Sequence, residues 1–447
     1  TLGGKQNALC YFHNLKYDYH LIEKYVNIQG RCIKDNQIYN IKIKYKKCEI
    51  ELRDSYKLLP FALKKFQKEF NLPKKFSKKE AIAYEYYTPE NNVKVDGEEK
   101  RIKVIDYCNL LSIDEQLIFL KGLHDEPSYN REDKTFCPIE YYKSYLILDC
   151  LVLKKGLRKF ESLIREITDN KMSIYNKLTI SSLTDKYMYE EGAYVGVYEV
   201  TGNLREYIAN AVYGGRVCVN KKYLKKTVKG KISDFDGVSL YPSAINRLCR
   251  EMGLPTGKAR RLTKDLFENW EKLTYAIMTV KITKVNKIQQ MPFIAHKTKD
   301  SIKYTNEAPK DNIVIDSITL QDYVKFHEIE YEIVDGVYWN EGGNKKMGEV
   351  VKALSNTIKL MLNSTYGKTI MKKIKTEVKI VPAVNNKYDK KTKKWIRTKN
   401  EQFDNYIYNN FNTIRSYRKL NEQNYEIEEI CADDTYNRGH IGCAVLS

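Results

Sequence analysis

An α/β protein of several domains is what the sequence predicts, and three observations carry that reading. The chain has 447 residues, room for roughly three domains at the usual ~150 residues each. Period-two apolar runs, typical of half-buried strands, alternate with longer runs of helical spacing. Hydrophobic residues make up 42% and charged residues 30%, a globular rather than a disordered balance. The ten cysteines are scattered and form no Cys-x-x-Cys pair. This argues against a zinc ribbon or a disulfide scaffold and for a reducing compartment. No apolar run approaches the ~20 residues of a membrane span, and no signal peptide opens the sequence. Membrane, secreted and fibrous readings are therefore poor.

The elements follow in order. Residues 7–15 predict a short buried strand ending in a polar turn, and Tyr19–Tyr25 a helix. Ile41 to Leu52 alternates as a hairpin with one wet face. Helical spacing returns over 56–70, a polar loop is expected from Thr88 to Lys103, and Glu140–Leu163 predicts a strong helix. Residues 181–194 predict a linker. A second core then begins near Leu204: a helix over 204–213, a hairpin over 214–230, and a strand and turn over 231–242. Residues 273–340 alternate as strands, 347–362 is helical, and 376–430 mixes charge runs with aromatics as a partly exposed insertion.

The formal net charge is 77 − 57 = +20. A polyanion is the natural partner of such a chain. The same lysine richness, with 36 tyrosines, is equally the mark of A·T-rich coding, so charge alone does not decide for nucleic acid. The motifs are sharper. Ser233-Asp-Phe-Asp-Gly-Val-Ser-Leu-Tyr-Pro-Ser reads as an apolar strand delivering Asp236 to its end, then a tight turn, with Pro242 opening a helix. Backbone N–H groups at such a helix start receive anions, and a carboxylate beside a phosphate cradle is the minimal geometry for phosphoryl transfer. In the second string, Lys359, Asn363 and Tyr366 fall on one helical face at i, i+4 and i+7, presenting an ammonium, an amide and an aromatic plane. Taken alone, this string reads as well as an ordinary amphipathic helix.

Together the two strings resemble motifs of the family B DNA polymerases. Asp236-x-x-Ser239-Leu240-Tyr241-Pro242 is similar to the first palm motif, and Lys359-x-x-x-Asn363-Ser-x-Tyr366-Gly to the fingers motif. The first third adds three likenesses to the 3′–5′ exonuclease domain: Tyr11-Phe-His-Asn-Leu-Lys-Tyr-Asp18, Asp54-Ser-Tyr-Lys-Leu-Leu-Pro-Phe61 and Tyr145-Leu-Ile-Leu-Asp149. The wording is closest to the protein-primed branch of phages, viruses and linear plasmids, and Tyr213-Gly214-Gly215-Arg216 resembles that branch's interdomain element, with Val212 in place of its first Tyr.

The resemblance implies a ribonuclease-H-like exonuclease domain followed by a palm and fingers with insertions. The expected divisions are 1–175 exonuclease, 176–203 linker, 204–254 first palm part, 255–345 a terminal-protein-region-like palm insertion, 346–375 fingers, 376–436 a second insertion and 437–447 the start of the second palm part. Asp18 and Asp149 would hold metal in the exonuclease site, with Tyr145 orienting water or the scissile phosphate. Asn14, Tyr17 and Ser55 would hold a single-stranded end, and Gly214, Gly215 and Arg216 would contact DNA. Asp236 would bind both polymerase metals and the Gly237 carbonyl one of them. Ser239, Leu240 and Tyr241, with Lys359, Asn363 and Tyr366, would bind the nucleotide, the Tyr241 ring crowding a ribose 2′-OH. Mg²⁺ or Mn²⁺, two ions per site, a primer–template, deoxynucleoside triphosphates and a terminal protein are the implied cofactors and partners, in the cytoplasm or nucleus of a host cell and without a membrane. Lys79 resembles a family exonuclease lysine but reads better as a solvated side chain. The first exonuclease motif and the palm's second carboxylate motif are expected to lie outside the chain. Cys431-Ala-Asp433-Asp434-Thr435 is expected to be an exposed acidic loop rather than that second motif, and the chain alone is expected not to polymerise DNA.

Overall fold

The computed structural model describes residues 7–447 apart from 35–36, 46–47, 78–80, 92–93, 96–97, 125, 218–219, 238, 298–300, 356–358, 373–374, 383, 390–393, 400, 422–423 and 432–436. Lys79, Asp433 and Asp434 lie outside the described residues. The chain forms two units, one from 8–23 and 52–176 and the other from 24–51 and 177–447.

In the first unit the strand Ala8–Phe12 leads into the helix Leu15–Ile22; the strand is half-buried to exposed rather than buried, and the helix begins four residues before the expected Tyr19. The predicted helix over 140–163 is the central element and is longer, Pro138–Ile167. Pro138 stands where its missing N–H costs nothing, and the Cys137 side chain accepts the Glu140 N–H. Its buried stripe includes Tyr141, Val152, Leu157, Phe160 and Ile164. Tyr141 joins Tyr107, Phe119 and Phe136 in a nearly dry aromatic cluster. The Tyr107 hydroxyl escapes desolvation by accepting the Ala83 N–H at 2.9 Å. Glu115 closes the start of the helix Ile113–Leu123 by accepting the Ser112 N–H at 3.0 Å.

Among the described residues, two larger sheets organise the second unit. In the first, Gln37–Tyr45, Asn27–Lys34, Thr376–Pro382, Asn424–Ile430 and Ile414–Lys419 lie in that order. Glu377 pairs with Lys34, Asn424 donates to the Ile28 carbonyl at 3.1 Å, and the buried Arg31 guanidinium pairs with Glu426. Residues 24–51 belong with the second unit, because their hairpin finds its sheet partner some 340 positions along the chain. Within 376–430, Thr376–Pro382, Ile414–Lys419 and Asn424–Ile430 are strands of this sheet, so the stretch is not only an exposed insertion.

The second sheet runs Ile313–Asp316, Tyr275–Val285, Ile329–Trp339, Arg260–Arg261, all antiparallel. Its central strand buries Tyr275, Ala276, Ile277 and Met278 in succession, so both faces are covered there. The helix Ser317–His327 covers part of it, capped by Asp316 accepting the Thr319 N–H. The expected linker is instead largely a helix, Ile180–Glu190, with Leu183, Thr184 and Met188 fully buried. The hairpin and strand predicted over 214–237 do not form among the described residues. That segment carries only a helical turn at Lys221–Tyr223, and Ile232 and Phe235 are 75% and 91% exposed. A strand needs a ladder partner, and none of the described strands lies beside this one.

The helix Gly439–Leu446 is buried over every residue from Gly439 to Val445. The His440 ring stacks on Trp339 with centroids 4.9 Å apart, and both its nitrogens are buried without a hydrogen-bond partner. Burial, helped by Arg438, pushes its pKa down to about 3. The unfolded chain takes up this proton near pH 6.5 and the folded chain does not, so the stabilisation is complete above pH 6.5 and declines as pH falls from there towards 3. Denaturant titrations at pH 7.5 and 5 should show His440→Leu losing about 2 kcal/mol less stability over that interval than the parent chain. Equal losses in the two proteins would contradict this account.

Candidate active sites

The first candidate site is built where the strand Ala8–Phe12 turns into the helix Leu15–Ile22. Asn14 adopts a left-handed conformation (φ 75°), which an Asn tolerates better than most residues. The buried Asp54 holds the turn: one carboxylate oxygen accepts the Asn14 N–H and the Tyr56 N–H, each at 2.9 Å. His13 lies 3.0 Å from the Phe61 carbonyl through Nε2 and 3.0 Å from Ser55 Oγ through Nδ1. A carbonyl only accepts, so Nε2 carries the proton; Ser55 gives its single hydroxyl hydrogen to the Phe12 carbonyl, and its oxygen faces Nδ1. Burial lowers the His13 pKa and keeps it neutral against the pull of Asp54 and Asp149.

Asp18 projects from the first turn of that helix, and Asp149 from the middle of the helix Pro138–Ile167. Both carboxyls are pushed above the ordinary range, chiefly by burial; Asp54 adds to the push on Asp18, while the Tyr145 hydroxyl and His13 oppose it at Asp149. Tyr145, one turn before Asp149, donates its hydroxyl to that carboxylate, and its own pKa is raised by burial and by this bond. Tyr17 is 70% exposed, free to offer a stacking face. Ser55 departs from expectation. It is fully buried and its hydroxyl lies 2.7 Å from the Phe12 carbonyl as well as beside His13, so it positions the strand and the imidazole rather than gripping DNA. His13 and Asp54 were not among the expected site residues; two polar groups inside otherwise apolar strings were the signal available.

The fit to divalent metal rests on the donor set. Asp18 and Asp149 are hard oxygen donors held partly desolvated, and no lysine or arginine contributes to either shift. Among the described residues no three His, Cys, Asp or Glu side chains come together as a metal-holding group.

The second candidate site lies in the other unit. Ser239, left-handed at φ 51°, precedes the helix Leu240–Arg247. Pro242 is the third helical residue, not the first as expected; N–H groups of the first turn have no intrahelical acceptor, so proline is tolerated at either place. The Tyr241 ring stacks on Tyr366 with centroids 4.4 Å apart and planes 9° from parallel. Residues separated by 125 positions thus share one site. Tyr366 is half-buried, and burial with Tyr241 pushes its pKa up to about 12. Its helix, Lys359–Thr369, is locked from behind by the Thr184 and Ser364 hydroxyls, 2.8 Å apart. Asn363 is exposed on that helix; Lys359 begins it, and its side chain lies outside the description. Asp236 and Gly237 sit on the exposed segment before the turn, and Leu240 is 64% exposed. Nearby in sequence, Gly214 accepts from the Tyr304 hydroxyl at 3.2 Å and Arg216 donates to the Met291 carbonyl at 3.3 Å.

The first site depends on one close approach. A Cβ on Gly156 would lie 2.3 Å from the Phe66 ring, which packs edge-on against His13 at 5.3 Å. Gly156→Ala should therefore cost about 1–3 kcal/mol in urea unfolding and disturb His13. A stability change below a few tenths of a kcal/mol would show that the ring moves freely.

A family model described as DNA polymerase type B, organellar and viral, matches residues 3–441. A DNA polymerase of Kluyveromyces lactis is 23% identical over 398 residues, which is 85% of this chain and 37% of its own length. The solved structure of Phi29 DNA polymerase complexed with primer-template DNA, a post-translocation binary complex, superposes with a TM-score of 0.51 at 15% identity, covering 98% of this chain and 66% of that one. The ternary complex of the same polymerase with incoming nucleotide substrates gives 0.48 at 16% identity, covering 95% and 72%. The chain spans little more than a third of the length of its K. lactis relative, and the Phi29 likeness shows a shared fold. With nearly its whole length matched by the family model, the chain belongs to the type B DNA polymerases of organelles and viruses.

Proposed function

We propose that this chain carries the nucleotide pocket and the proofreading site of a template-directed, protein-primed DNA polymerase of a viral or mobile linear genome. The observation that carries the reading is the Tyr241–Tyr366 stack, which joins the palm-like and fingers-like strings in one pocket. The K. lactis and Phi29 relatives, both named as DNA polymerases, support it. Primer–template DNA and deoxynucleoside triphosphates would be the substrates and a terminal protein the primer, at the host-cell site where the genome is copied. Among the described residues no helix is long and apolar enough to cross a membrane.

In the nucleotide pocket, the first-turn amides around Leu240 and Tyr241 would bind triphosphate oxygens, with Lys359 adding charge and Asn363 an amide. With centroids 4.4 Å apart the two tyrosine rings admit no base between them, so an incoming base would stack on an outer face or part the rings. The Tyr241 ring, 38% exposed, would stand against the sugar. Asp236 and the Gly237 carbonyl would hold divalent metal, which when bound stabilises charge on the attacking and leaving oxygens. In the proofreading site Asp18 and Asp149 would do the same. Tyr145 remains a proton donor at physiological pH because its pKa is raised, so it would orient a water or the scissile phosphate rather than act as base.

Two outcomes check these roles in the complete enzyme. Asp18→Asn and Asp149→Asn should each remove magnesium-dependent 3′-end excision and leave primer extension intact; persistent excision would refute the proofreading assignment. Tyr241→Val should raise ribonucleotide incorporation, while Tyr366→Ala raises KM for deoxynucleotides about tenfold, the worth of a lost stacking platform. Sugar discrimination unchanged in Tyr241→Val would end the gate role.

A further inference from the structure

The unit of 24–51 and 177–447 contains a cavity of about 450 Å³ outside the Tyr241–Tyr366 pocket, within the roughly 300–1,000 Å³ range of small-ligand sites. Its walls are largely aromatic, with Tyr213, Phe293, Tyr304 and Phe326 contributing, and Arg216 and Asp322 bring opposite charges to the lining.

The aromatic wall is preformed. Phe293 is fixed by His327, whose ring is fully buried and 4.5 Å away. The His327 Nδ1 lies 3.0 Å from the Lys287 carbonyl and must donate to it, which leaves Nε2 to accept the Phe293 N–H at 3.4 Å. Phe326 packs edge-on to Phe293 at 5.6 Å, yet is 40% exposed. The Arg216 guanidinium stands 5.7 Å over the Phe293 ring, tethered to the Met291 carbonyl. Around Gly214 and Gly215, a built Cβ meets no atom within 4 Å, so the backbone is open to close approach. Tyr304 steadies this stretch through its bond to the Gly214 carbonyl, and Tyr213 through its bond to the Val314 carbonyl at 3.1 Å.

Flat aromatic faces, a guanidinium and open backbone in one concavity match a nucleotide unit. Bases stack on such faces whatever their sequence, and arginine favours phosphate. We propose that this cavity receives one unpaired DNA base, stacked on the exposed ring of Phe326 with Phe293 as the side wall, and with the adjoining phosphate on Arg216. Asp322 supplies an acceptor suited to an exocyclic amino group. The site would hold one nucleotide of a single strand out of the base stack beside the Tyr213–Arg216 segment, and it rests on the reading of that segment as DNA-contacting.

The test uses the 447-residue chain with a single-stranded deoxycytidine 12-mer and an abasic 12-mer of equal length, followed by fluorescence anisotropy. Phe326→Leu should weaken binding of the deoxycytidine oligomer about tenfold and leave the abasic oligomer unchanged. Arg216→Gln should weaken both equally and reduce the salt slope by about 0.7. With the unaltered chain, irradiation of a bound 5-iododeoxyuridine oligomer should cross-link Phe293, Tyr304 or Phe326. Equal losses on both oligomers in Phe326→Leu, or cross-links confined to other residues, would overturn the cavity's role while leaving DNA binding standing. Failure of the parent chain to bind either oligomer would overturn the DNA reading as well.

Discussion

Burial of the helix Gly439–Leu446 is the constraint on which the larger unit depends. Eight residues are too few to hold a helix in water, so it exists because its surroundings enclose it. Each turn touches a different neighbour. His440 stacks on Trp339 of the second sheet, and the Cys443 thiol reaches the Ala211 carbonyl at the end of the helix Gly202–Ala211. A Cβ on Gly442 would stand 2.1 Å from Ile370 and 2.6 Å from the Thr369 hydroxyl, so only glycine lets the helix Lys359–Thr369 approach this closely. Arg438 ties the entry to Asp185 and Glu199 at 3.3 and 2.7 Å and lies 3.7 Å from the Tyr194 ring. The helix that presents Tyr366 to Tyr241 is thus set by a small-residue contact behind it.

The smaller unit repeats this logic with a different residue. Gly156 admits Phe66, Phe66 backs His13, and His13 with Ser55 and Asp54 fixes the turn from which Asp18 projects. Asp149 comes from the same long helix as Gly156, two turns earlier, so one rigid element carries both the carboxylate and the contact that shapes its surroundings. In both units the chemistry-bearing side chains are few, and most of the construction holds them in place.

Composition takes on a second meaning in three dimensions. The described lysines lie largely at the surface, whereas Asp18 and Asp149 are partly desolvated. Several tyrosines are used structurally: Tyr107, Tyr275 and Tyr323 each bury a ring and pair the hydroxyl, with the Ala83 N–H, Asp316 and the Ala295 N–H respectively. A bias compatible with A·T-rich coding has been absorbed as aromatic packing with satisfied polar ends.

What the sequence determined by itself was local. The strand before His13, the long helix through Asp149, the alternation of Tyr275–Val285 and Ile329–Trp339, and the helix after Ser239 all follow from periodicity and turn chemistry within short windows. So did the residue types of the motifs and their order. Tertiary structure decided what depends on distant partners. The hairpin 27–45 joined strands near 380 and 425 because open strand edges pair wherever a register fits, which no local window records. Residues 231–237, with equally good local alternation, stayed outside any described sheet for want of such a partner. Ser55 became a scaffold residue because burial, not residue type, settles whether a hydroxyl is free. The contact between Tyr241 and Tyr366 was implied by motif resemblance alone; its reality rests on helices brought together by Gly442, Thr184 and Ser364, whose significance appears only once the helices are packed.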